Sequence, residues 1–270
     1  MKNKRWLSLL VVSAAFIYLV LPLAATFMYS IAKEWSHTVL PVSYTLDWYK
    51  ELFTDSRFLA AVGRTLTVSA IALIASVVTM SVTVFVVYMY LPKLERFLQA
   101  ITMIPFAVPG VVAAVGLIKV YSSGPIVLSG TIWILVGAYY VLIIPYMYQG
   151  IRNSLRTIDA RRLMEAAEIL GASKMKAFLQ VVAPNIMGGI IISALLSFSI
   201  LIGEFVMANF LVGGSYETIQ IYLMRQLNQN GHLSSAIVIA YFTIVLMISW
   251  LMLKLGTRFN KKEENKENAA

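Results

Sequence analysis

Residues 66–91 read LTVSAIALIASVVTMSVTVFVVYMYL and contain no charged residue. A helix needs about 20 predominantly apolar residues to cross the roughly 30 Å hydrocarbon core of a bilayer. An uncharged run of this length is typical of a transmembrane helix and is too long for a core strand of a soluble domain. The stretch therefore predicts an integral membrane protein of the all-α class.

Five further stretches are of similar length and are predominantly apolar, which makes six predicted spans. They are Trp6–Ala32, Phe97–Val120, Ile126–Gln149, Ile186–Val212 and Ser234–Leu255. Basic residues precede the first stretch, so a cleaved signal peptide is an alternative there. The apolar region of a signal peptide is only about 7–15 residues long, and this run is nearly twice that. We expect an uncleaved first span, one transmembrane domain over residues 1–259, and a disordered cytoplasmic tail over residues 260–270.

The composition also indicates a lipid environment. The chain is 59% hydrophobic and 13% charged, with a mean hydropathy of +0.78, whereas a soluble domain carries about 25% charged residues. The net charge of +9 lies in short segments between the apolar stretches and at the two ends. That distribution is typical of membrane orientation rather than of a groove for phosphates. We expect the lipid bilayer, and not nucleic acid, as a partner.

The basic residues predict an orientation. With the N-terminus inside, sixteen of the 22 Lys and Arg residues fall on the inner side and six on the outer side. Cytoplasmic loops of membrane proteins carry such an excess. We therefore expect a multi-pass protein of the cell (plasma or inner) membrane with both termini in the cytoplasm.

The longest inner loop contains a predicted helical hairpin at about 159–184. Its first helix reads DARRLMEAAEIL over residues 159–170, with Asp159 suited to the N-cap. Three apolar side chains share one face at i, i+4, i+7 spacing, namely Leu163, Ala167 and Leu170. Arg161 and Glu165 form an i, i+4 pair on the other face.

Gly171 follows at the place where helices commonly end in a left-handed residue. Ser173 then offers a second N-cap. An apolar stripe begins at Met175, and Pro184 is predicted to end the second helix. Each helix thus has an apolar side for the transmembrane bundle and a charged side, which predicts a docking surface for a soluble partner.

The spacing in this hairpin resembles the EAA motif of permease subunits of binding-protein-dependent ABC importers. That motif runs Glu-Ala-Ala, three residues, Gly, nine residues, Ile, one residue, Leu-Pro. Val181 replaces the isoleucine, and Ala183 in place of leucine is the one real departure. The chain keeps the remaining positions, Glu165, Ala166, Ala167, Gly171 and Pro184. The resemblance covers roughly residues 10–255 and implies the type I fold of phosphonate, iron and polyamine permeases.

The resemblance implies several partners. In that family the hairpin is the coupling helix, which sits in a cleft of the ATP-binding cassette subunit. The implied docking residues are Glu165, Ala166, Ala167, Gly171, Arg161 and Pro184. A second permease subunit, expected to be a different chain, and an extracytoplasmic solute-binding protein are implied as well. ATP hydrolysis is then expected on a separate subunit, so this chain is not expected to be an enzyme.

Charge and irregular backbone inside the spans mark candidate pathway residues. Glu204 follows Gly203 in the fifth span. One interpretation is that it lines the translocation pathway. The other is that it lies at the membrane surface, or that it is protonated and packs against a neighbouring helix. Pro105 and Pro109 remove two N–H groups from one face of the third span. That backbone either lines a cavity or forms a simple kink with small-residue packing at Gly110.

We expect no catalytic residue, metal or cofactor. His37 and His232 fall in predicted outer loops without ligand-like neighbours, and no loop of the type G-x-x-x-x-G-K-[ST] occurs. Cysteine is absent, which excludes disulfides, a thiolate metal site and a cysteine nucleophile.

The favoured function is an importer permease that forms half of a pathway for a small hydrophilic solute. The alternative is a stand-alone secondary carrier or channel. Such carriers often contain inverted repeats, but we find no matching halves, and a carrier would not need the hairpin. The candidate substrates, in order, are an aminoalkylphosphonate, ferric iron, a polyamine and an oxyanion. Basic residues occur in the spans only next to their ends, at Lys119 and Lys254, and a transmembrane part without basic residues in its interior does not suit a dedicated anion site.

Overall fold

The computed structural model describes residues 2–35, 38–123 and 125–267, without the side chains of residues 2–5, 7 and 255–267. Apart from the connecting turns, this part of the chain forms helices and one small antiparallel sheet, which confirms the all-α class. The helices are α1 (Lys2–Ile31), α2 (Asp47–Thr54), α3 (Ser56–Tyr90), α4 (Glu95–Ala107), α5 (Gly110–Tyr121), α6 (Ile132–Thr157), α7 (Ala160–Ile169), α8 (Lys174–Ala177), α9 (Ala183–Ile202), α10 (Val206–Leu211), α11 (Ile219–Gln226) and α12 (Gly231–Glu267). The strands are β1 (Ala32–Glu34) and β2 (Ser43–Tyr44).

Five continuous helical stretches are long and apolar enough to cross a bilayer. They are Ser8–Ile31, Ser56–Tyr90, Ile132–Thr157, Lys174–Ile202 and Gly231–Lys254. Helices α4 and α5 pass the same test only as a pair, bent by 99°. The break falls at Val108, whose backbone is extended, as expected for a residue that precedes a proline. Among the described residues, the six predicted spans are therefore five continuous stretches and one bent pair.

The chain divides into two compact units. One comprises Met1–Ala60 and Tyr222–Ile244, and the other comprises Ala61–Ile221 and Val245–Ala270. Residues 1–259 contribute to both units, and the single transmembrane domain over these residues stays a prediction. Helix α12 continues to Glu267, so residues 260–267 of the predicted disordered tail are helical. Lys and Glu, which dominate that stretch, have high helix propensity.

Aromatic stacking organises the first unit. The ring of His232 stacks on Tyr29, with centroids 4.1 Å apart, and on Trp48 at 5.6 Å. The His232 Nδ1 atom also lies 2.9 Å from the Tyr29 carbonyl oxygen. His232 is thus a packed residue of α12 rather than an isolated loop histidine, whereas His37 lies outside the described residues.

A hydrogen bond from the Tyr222 hydroxyl to Asp55 Oδ2 joins α11 to the start of α3 within the same unit, at 2.6 Å. Burial alone would raise the pKa of the Asp55 carboxyl, but the bonds from Tyr222 and from the Arg57 N–H outweigh burial and hold it below its ordinary value. Burial and the bond to Asp55 raise the pKa of Tyr222 to about 12. Both groups therefore keep their ordinary charge states, ionised and neutral, at neutral pH.

Close packing of α6 against α9 organises the second unit. A Cβ atom on Gly150 would lie 2.8 Å from the Ser193 Cβ, and one on Gly189 would lie 2.9 Å from the Ser154 Cβ. Real Cβ atoms do not approach so closely, so both positions need glycine. The two helices therefore cross through reciprocal Gly-x-x-x-Ser sequences, the small-residue packing of membrane helices.

Candidate functional site

Helix α7 follows α6 after only two residues, the second of which is Asp159. Asp159 occupies the N-cap position in a left-handed conformation, with φ 48°, and its side chain makes no capping hydrogen bond. The predicted cap is therefore wrong. An N-cap residue normally has an extended backbone, and the left-handed turn instead leaves the Asp159 carboxylate paired with Arg162 at 2.9 Å.

The buried face of α7 differs from the predicted one. Ala160, Met164 and Ala167 are buried. Leu163 is only half-buried, and Leu170 is 88% exposed. The predicted stripe was thus wrong at Leu170, because apolar residues on both shoulders of a helix fit the same spacing.

The end of α7 is a Schellman motif. Gly171 has φ +85°, which confirms the predicted left-handed glycine. Its N–H donates to the Glu168 carbonyl at 2.9 Å, and the Ala172 N–H donates to the Ala167 carbonyl at 3.0 Å. These are the two hydrogen bonds of the motif. The turn is therefore closed by backbone bonds and needs no side-chain contact.

The second helix of the predicted hairpin does not end at Pro184. Ser173 caps α8, as predicted, by accepting from the Lys176 N–H at 3.4 Å. A π-helical turn, Phe178–Val182, then leads directly into α9. Pro184 lies in the first turn of α9, because the wider π turn accommodates a ring that would clash in a regular helix. We call residues 160–182 the hairpin; its C-terminal end continues without a break into the membrane-spanning helix α9.

The hairpin is packed on α3, α6 and α9. One apolar cluster joins these elements: Met80, Val84, Phe85, Met147, Tyr148, Ile151, Leu155, Ala160, Met164, Ala167, Ala177, Val182, Ile186 and Ile190. The guanidinium of Arg161 donates to the Tyr88 carbonyl at 2.9 Å and lies over the Tyr88 ring. Arg161 therefore fastens α7 to the end of α3 and does not form the predicted pair with Glu165.

Four apolar side chains at the turn of the hairpin are exposed, and we call them the hairpin tip. They are Ile169 (85%), Leu170 (88%), Met175 (68%) and Leu179 (57%). Glu165 and Ala166 are exposed beside them, whereas Ala167 is buried. The exposed surface of the hairpin is thus apolar at its centre and charged at its edge. The sequence instead predicted that the apolar side faces the bundle and that the exposed side is charged.

Two interruptions of the spans lie side by side. Pro105 is half-buried inside α4, and Pro109 is the exposed N-cap residue of α5. A Cβ on Gly110 would lie 3.7 Å from the Val206 side chain, so the first turn of α5 contacts the first turn of α10. The α4–α5 bend therefore adjoins the break between α9 and α10, where Gly203 is exposed.

Glu204 lies in that break and is half-buried. Its carboxylate accepts hydrogen bonds from the N–H groups of Met207 (2.8 Å) and Ala208 (3.0 Å). The Tyr139 hydroxyl donates to the Glu204 carbonyl oxygen at 3.3 Å. The carboxylate thus stabilises the start of α10, a role that the sequence did not predict. A carboxylate followed at three and four residues by helical N–H groups is the signal that could have indicated it.

Comparison with known families identifies the chain. The family described as "binding-protein-dependent transport system inner membrane component" matches residues 84–261, well over half of the sequence. The chain belongs to this family. It is a permease subunit of an ABC importer, and importers of this kind combine such permeases with ATP-binding subunits and a solute-binding protein.

Relatives of this permease have named transport roles. A Salmonella typhimurium (strain LT2) protein named as the 2-aminoethylphosphonate transport system permease PhnV is 25% identical over 255 residues, 93% of this chain and 95% of that protein. The spermidine/putrescine transport system permease PotC of Escherichia coli (strain K12) is 24% identical over 227 residues, 83% of each chain.

Solved structures share the fold of this permease. A chain of a bacterial ABC transporter that imports the acidic polysaccharide alginate superposes with a TM-score of 0.75 at 15% identity, covering 95% of this chain and 96% of that one. A chain of the MetNI methionine ABC transporter, in an inward-facing conformation, gives 0.59 at 18% identity, covering 76% and 94%.

Proposed function

We propose that this permease presents its hairpin to an ATP-binding subunit in the cytoplasm and carries an amine-bearing solute past the α4–α5 bend. The excess of Lys and Arg on the hairpin side supports a cytoplasmic position for the hairpin and both termini. Because six spans do not enclose a pathway, the other half would come from a second permease subunit, expected to be a different chain.

The observation that carries the docking proposal is the exposed hairpin tip. A cluster of exposed apolar side chains with a charged edge is typical of protein–protein contact sites. The tip is held by a turn with two backbone hydrogen bonds, on helices that pack on three spans. Such a rigid surface loses little conformational entropy on binding. Glu165 and Ala166 would contact the ATP-binding subunit at the edge, with Gly171 shaping the turn.

Gly171→Val is expected to weaken docking without impairing membrane insertion. A Cβ at this position meets no atom within 4 Å, so the variant is strained only by its left-handed backbone. That strain costs about 1–2 kcal/mol, or roughly 5- to 30-fold in affinity for the ATP-binding subunit if docking requires this turn. Co-purification and a quantitative binding assay with the purified ATP-binding subunit would measure the loss of affinity. Gly171→Asn is the matched control, because asparagine tolerates this conformation; equal affinity of both variants and wild type would contradict the proposal.

The pathway proposal is based on the exposed backbone of the bend. Interrupted helices at membrane depth are tolerated where they contact protein or line an aqueous cavity, and not against lipid. Val108 is 38% exposed, and Pro109 and Gly203 are exposed as well. These residues, together with Pro105 and Glu204, would therefore face a second permease and the cavity between the two subunits.

The substrate proposal is based on the acidic residue at the break. The substrates in the names of both relatives carry a primary amine, and a carboxylate is the usual partner of an ammonium group. Two backbone N–H groups occupy only part of the acceptor capacity of Glu204. An aminoalkylphosphonate is therefore proposed first and a polyamine second, ahead of ferric iron or an oxyanion.

Glu204→Gln is expected to cut uptake of the amine-bearing solute about tenfold, the value of one charge-assisted hydrogen bond. The assay is uptake by proteoliposomes with the cognate binding protein, offered 2-aminoethylphosphonate, spermidine, ferric iron or phosphate in turn. Tyr139→Phe is the control, because it removes a hydrogen bond at the same break and keeps the charge. Equal losses in the two variants would show a purely structural Glu204, and unchanged uptake in Glu204→Gln would refute the proposed role.

A further inference from the structure

Two arginines of α6 bind the first residue of α4. Glu95 Oε1 accepts from Arg152 Nε at 2.6 Å and from Arg156 Nη2 at 2.8 Å. The Arg152 and Glu95 side chains are only 18% and 21% exposed, and Arg156 is 50% exposed. Short hydrogen bonds between ionised groups that are largely shielded from water are stronger and more directional than exposed ion pairs. We call these contacts the Glu95 clamp.

Weaker contacts continue from the clamp toward the bend. The Tyr148 hydroxyl lies 3.5 Å from the Glu95 carbonyl oxygen, and the Gln149 amide lies 3.8 Å from the sulfur of Met103. Near the end of α4, the Phe106 ring meets the Tyr146 ring edge-on at 5.2 Å. Helix α4 thus lies along α6 from its first turn to its last.

In a bilayer these weaker contacts do not fix the register of two helices. Lipid tails are as apolar as the helix surfaces, so burial of apolar side chains gives no driving force for association there. The position of α4 on α6 then depends on van der Waals packing and on directional bonds between the two helices. The Glu95 clamp supplies such bonds at the hairpin end.

The clamp lies between the two parts of the proposed mechanism. Helix α6, which carries both arginines, leads into the hairpin through only Ile158 and Asp159. Helix α4, which begins at Glu95, ends at the 99° bend. A displacement of the hairpin therefore reaches the bend through α6 and α4, provided that the two helices move together.

We infer that the Glu95 clamp transmits the movement of the hairpin to the α4–α5 bend, which makes Glu95 a positioning residue for coupling ATP hydrolysis to transport. This inference rests on the proposed docking of the hairpin. Without the clamp, the ATP-binding subunit still docks and hydrolyses ATP, but α6 moves past α4 and the bend keeps its position.

A single cysteine at the bend tests the inference without knowledge of the solute. The chain has no cysteine, so Val108→Cys gives one thiol. The importer complex, in which this variant is assembled with the second permease subunit and the ATP-binding subunits, is reconstituted in nanodiscs. Maleimide labelling of the thiol at position 108 is timed with and without ATP and vanadate. We expect ATP to change the labelling rate at least about fivefold, the response of a two-state equilibrium shifted by nucleotide. In the Val108→Cys, Glu95→Gln variant the change should fall below about twofold at equal ATP-binding subunit content.

Three further variants separate coupling from folding. Lys93→Gln removes an exposed charge in the same turn and should keep the full response. Arg156→Gln, at the more exposed partner, should give an intermediate response even if Glu95→Gln fails to assemble. The exchange Glu95→Arg with Arg152→Glu should restore the response, as expected if the clamp acts through its charges, and comparison at equal content of assembled complex separates this effect from folding.

The outcomes are distinct. A full ATP response in Glu95→Gln and Arg156→Gln, or none in the wild-type background, overturns the inference while leaving docking intact. If the wild-type chain does not retain the ATP-binding subunit, the proposed function itself fails. Failure of the exchange to restore the response also overturns the inference, because the clamp then does not act through its charges.

Discussion

Gly189→Val is expected to leave little folded permease in the membrane. A Cβ at Gly189 would already lie 2.9 Å from the Ser154 Cβ and 3.4 Å from the Gly150 carbonyl oxygen, and valine adds two methyl groups. The α6–α9 contact, which holds the second unit together, would have to open. Overpacking a core with a few added methylenes costs about 1–3 kcal/mol of stability. At a rigid helix crossing we expect a cost at the upper end of this range or above it. The yield of monodisperse protein in detergent and its melting temperature would measure the effect.

Gly189→Ala with a second change at Ser154 is the sharper control. Alanine favours the helix over glycine by about 1 kcal/mol, so intrinsic propensity alone predicts that Gly189→Ala is stabilising. The structure predicts the opposite sign, because the new Cβ meets Ser154. Adding Ser154→Gly should recover most of the loss, since it removes the two nearest of the three atoms that the Cβ meets and leaves only the Gly150 carbonyl oxygen at 3.4 Å. A higher melting temperature for Gly189→Ala alone would contradict the packing described here.

Leu170→Asp is expected to abolish stable association with the ATP-binding subunit. Leu170 is 88% exposed, so the free energy of unfolding should change by less than about 0.5 kcal/mol. In a docked complex, however, the aspartate would be buried among apolar groups. Substitution of a central interface residue lowers the binding free energy by about 2 kcal/mol or more, which is roughly a 30-fold loss of affinity. Co-purification and ATP-dependent uptake would report it.

Two variants calibrate this result. Leu170→Met keeps the apolar surface and should dock normally, whereas Glu165→Lys, at the edge, should weaken docking by a smaller factor, since edge charges act mainly on association rate. Wild-type affinity in Leu170→Asp would show that the hairpin tip is not the docking surface. A loss in Leu170→Asp accompanied by a lower melting temperature would indicate misfolding instead.

The sequence predicted those features of the permease that depend on local chemistry. Long uncharged runs predicted the spans, and Gly171 and Ser173 predicted the turn between two short helices. Gly171 acts through its own backbone, and the Ser173 hydroxyl accepts from a backbone N–H only three residues along the chain. No knowledge of the more distant surroundings was therefore needed. The bend at Val108 was also partly predictable, because a residue before a proline avoids the helical conformation.

Features that depend on neighbours were not predictable in this way. Leu163 and Leu170 fit an apolar stripe equally well, and only packing on α3 and α6 determines which side α7 buries. Pro184 predicts the end of a helix unless a π turn precedes it, and no residue type specifies such a turn. For Glu204, the short helix that it stabilises begins inside a predicted span, so its carboxylate was considered only as a pathway or membrane-surface group.

The π turn at Phe178–Val182 has a consequence for the direction in which the hairpin faces. In this turn the Ala183 N–H bonds to the Phe178 carbonyl, five residues back, so the segment accommodates one residue more than a regular helix. Each residue of an α-helix turns the chain by about 100° and advances it by about 1.5 Å. A chain lacking that single residue could continue α9 as an unbroken α-helix, but everything before it would swing by about 100° around the span axis. The direction in which the hairpin tip faces, measured around the span axis, therefore depends on one extra residue.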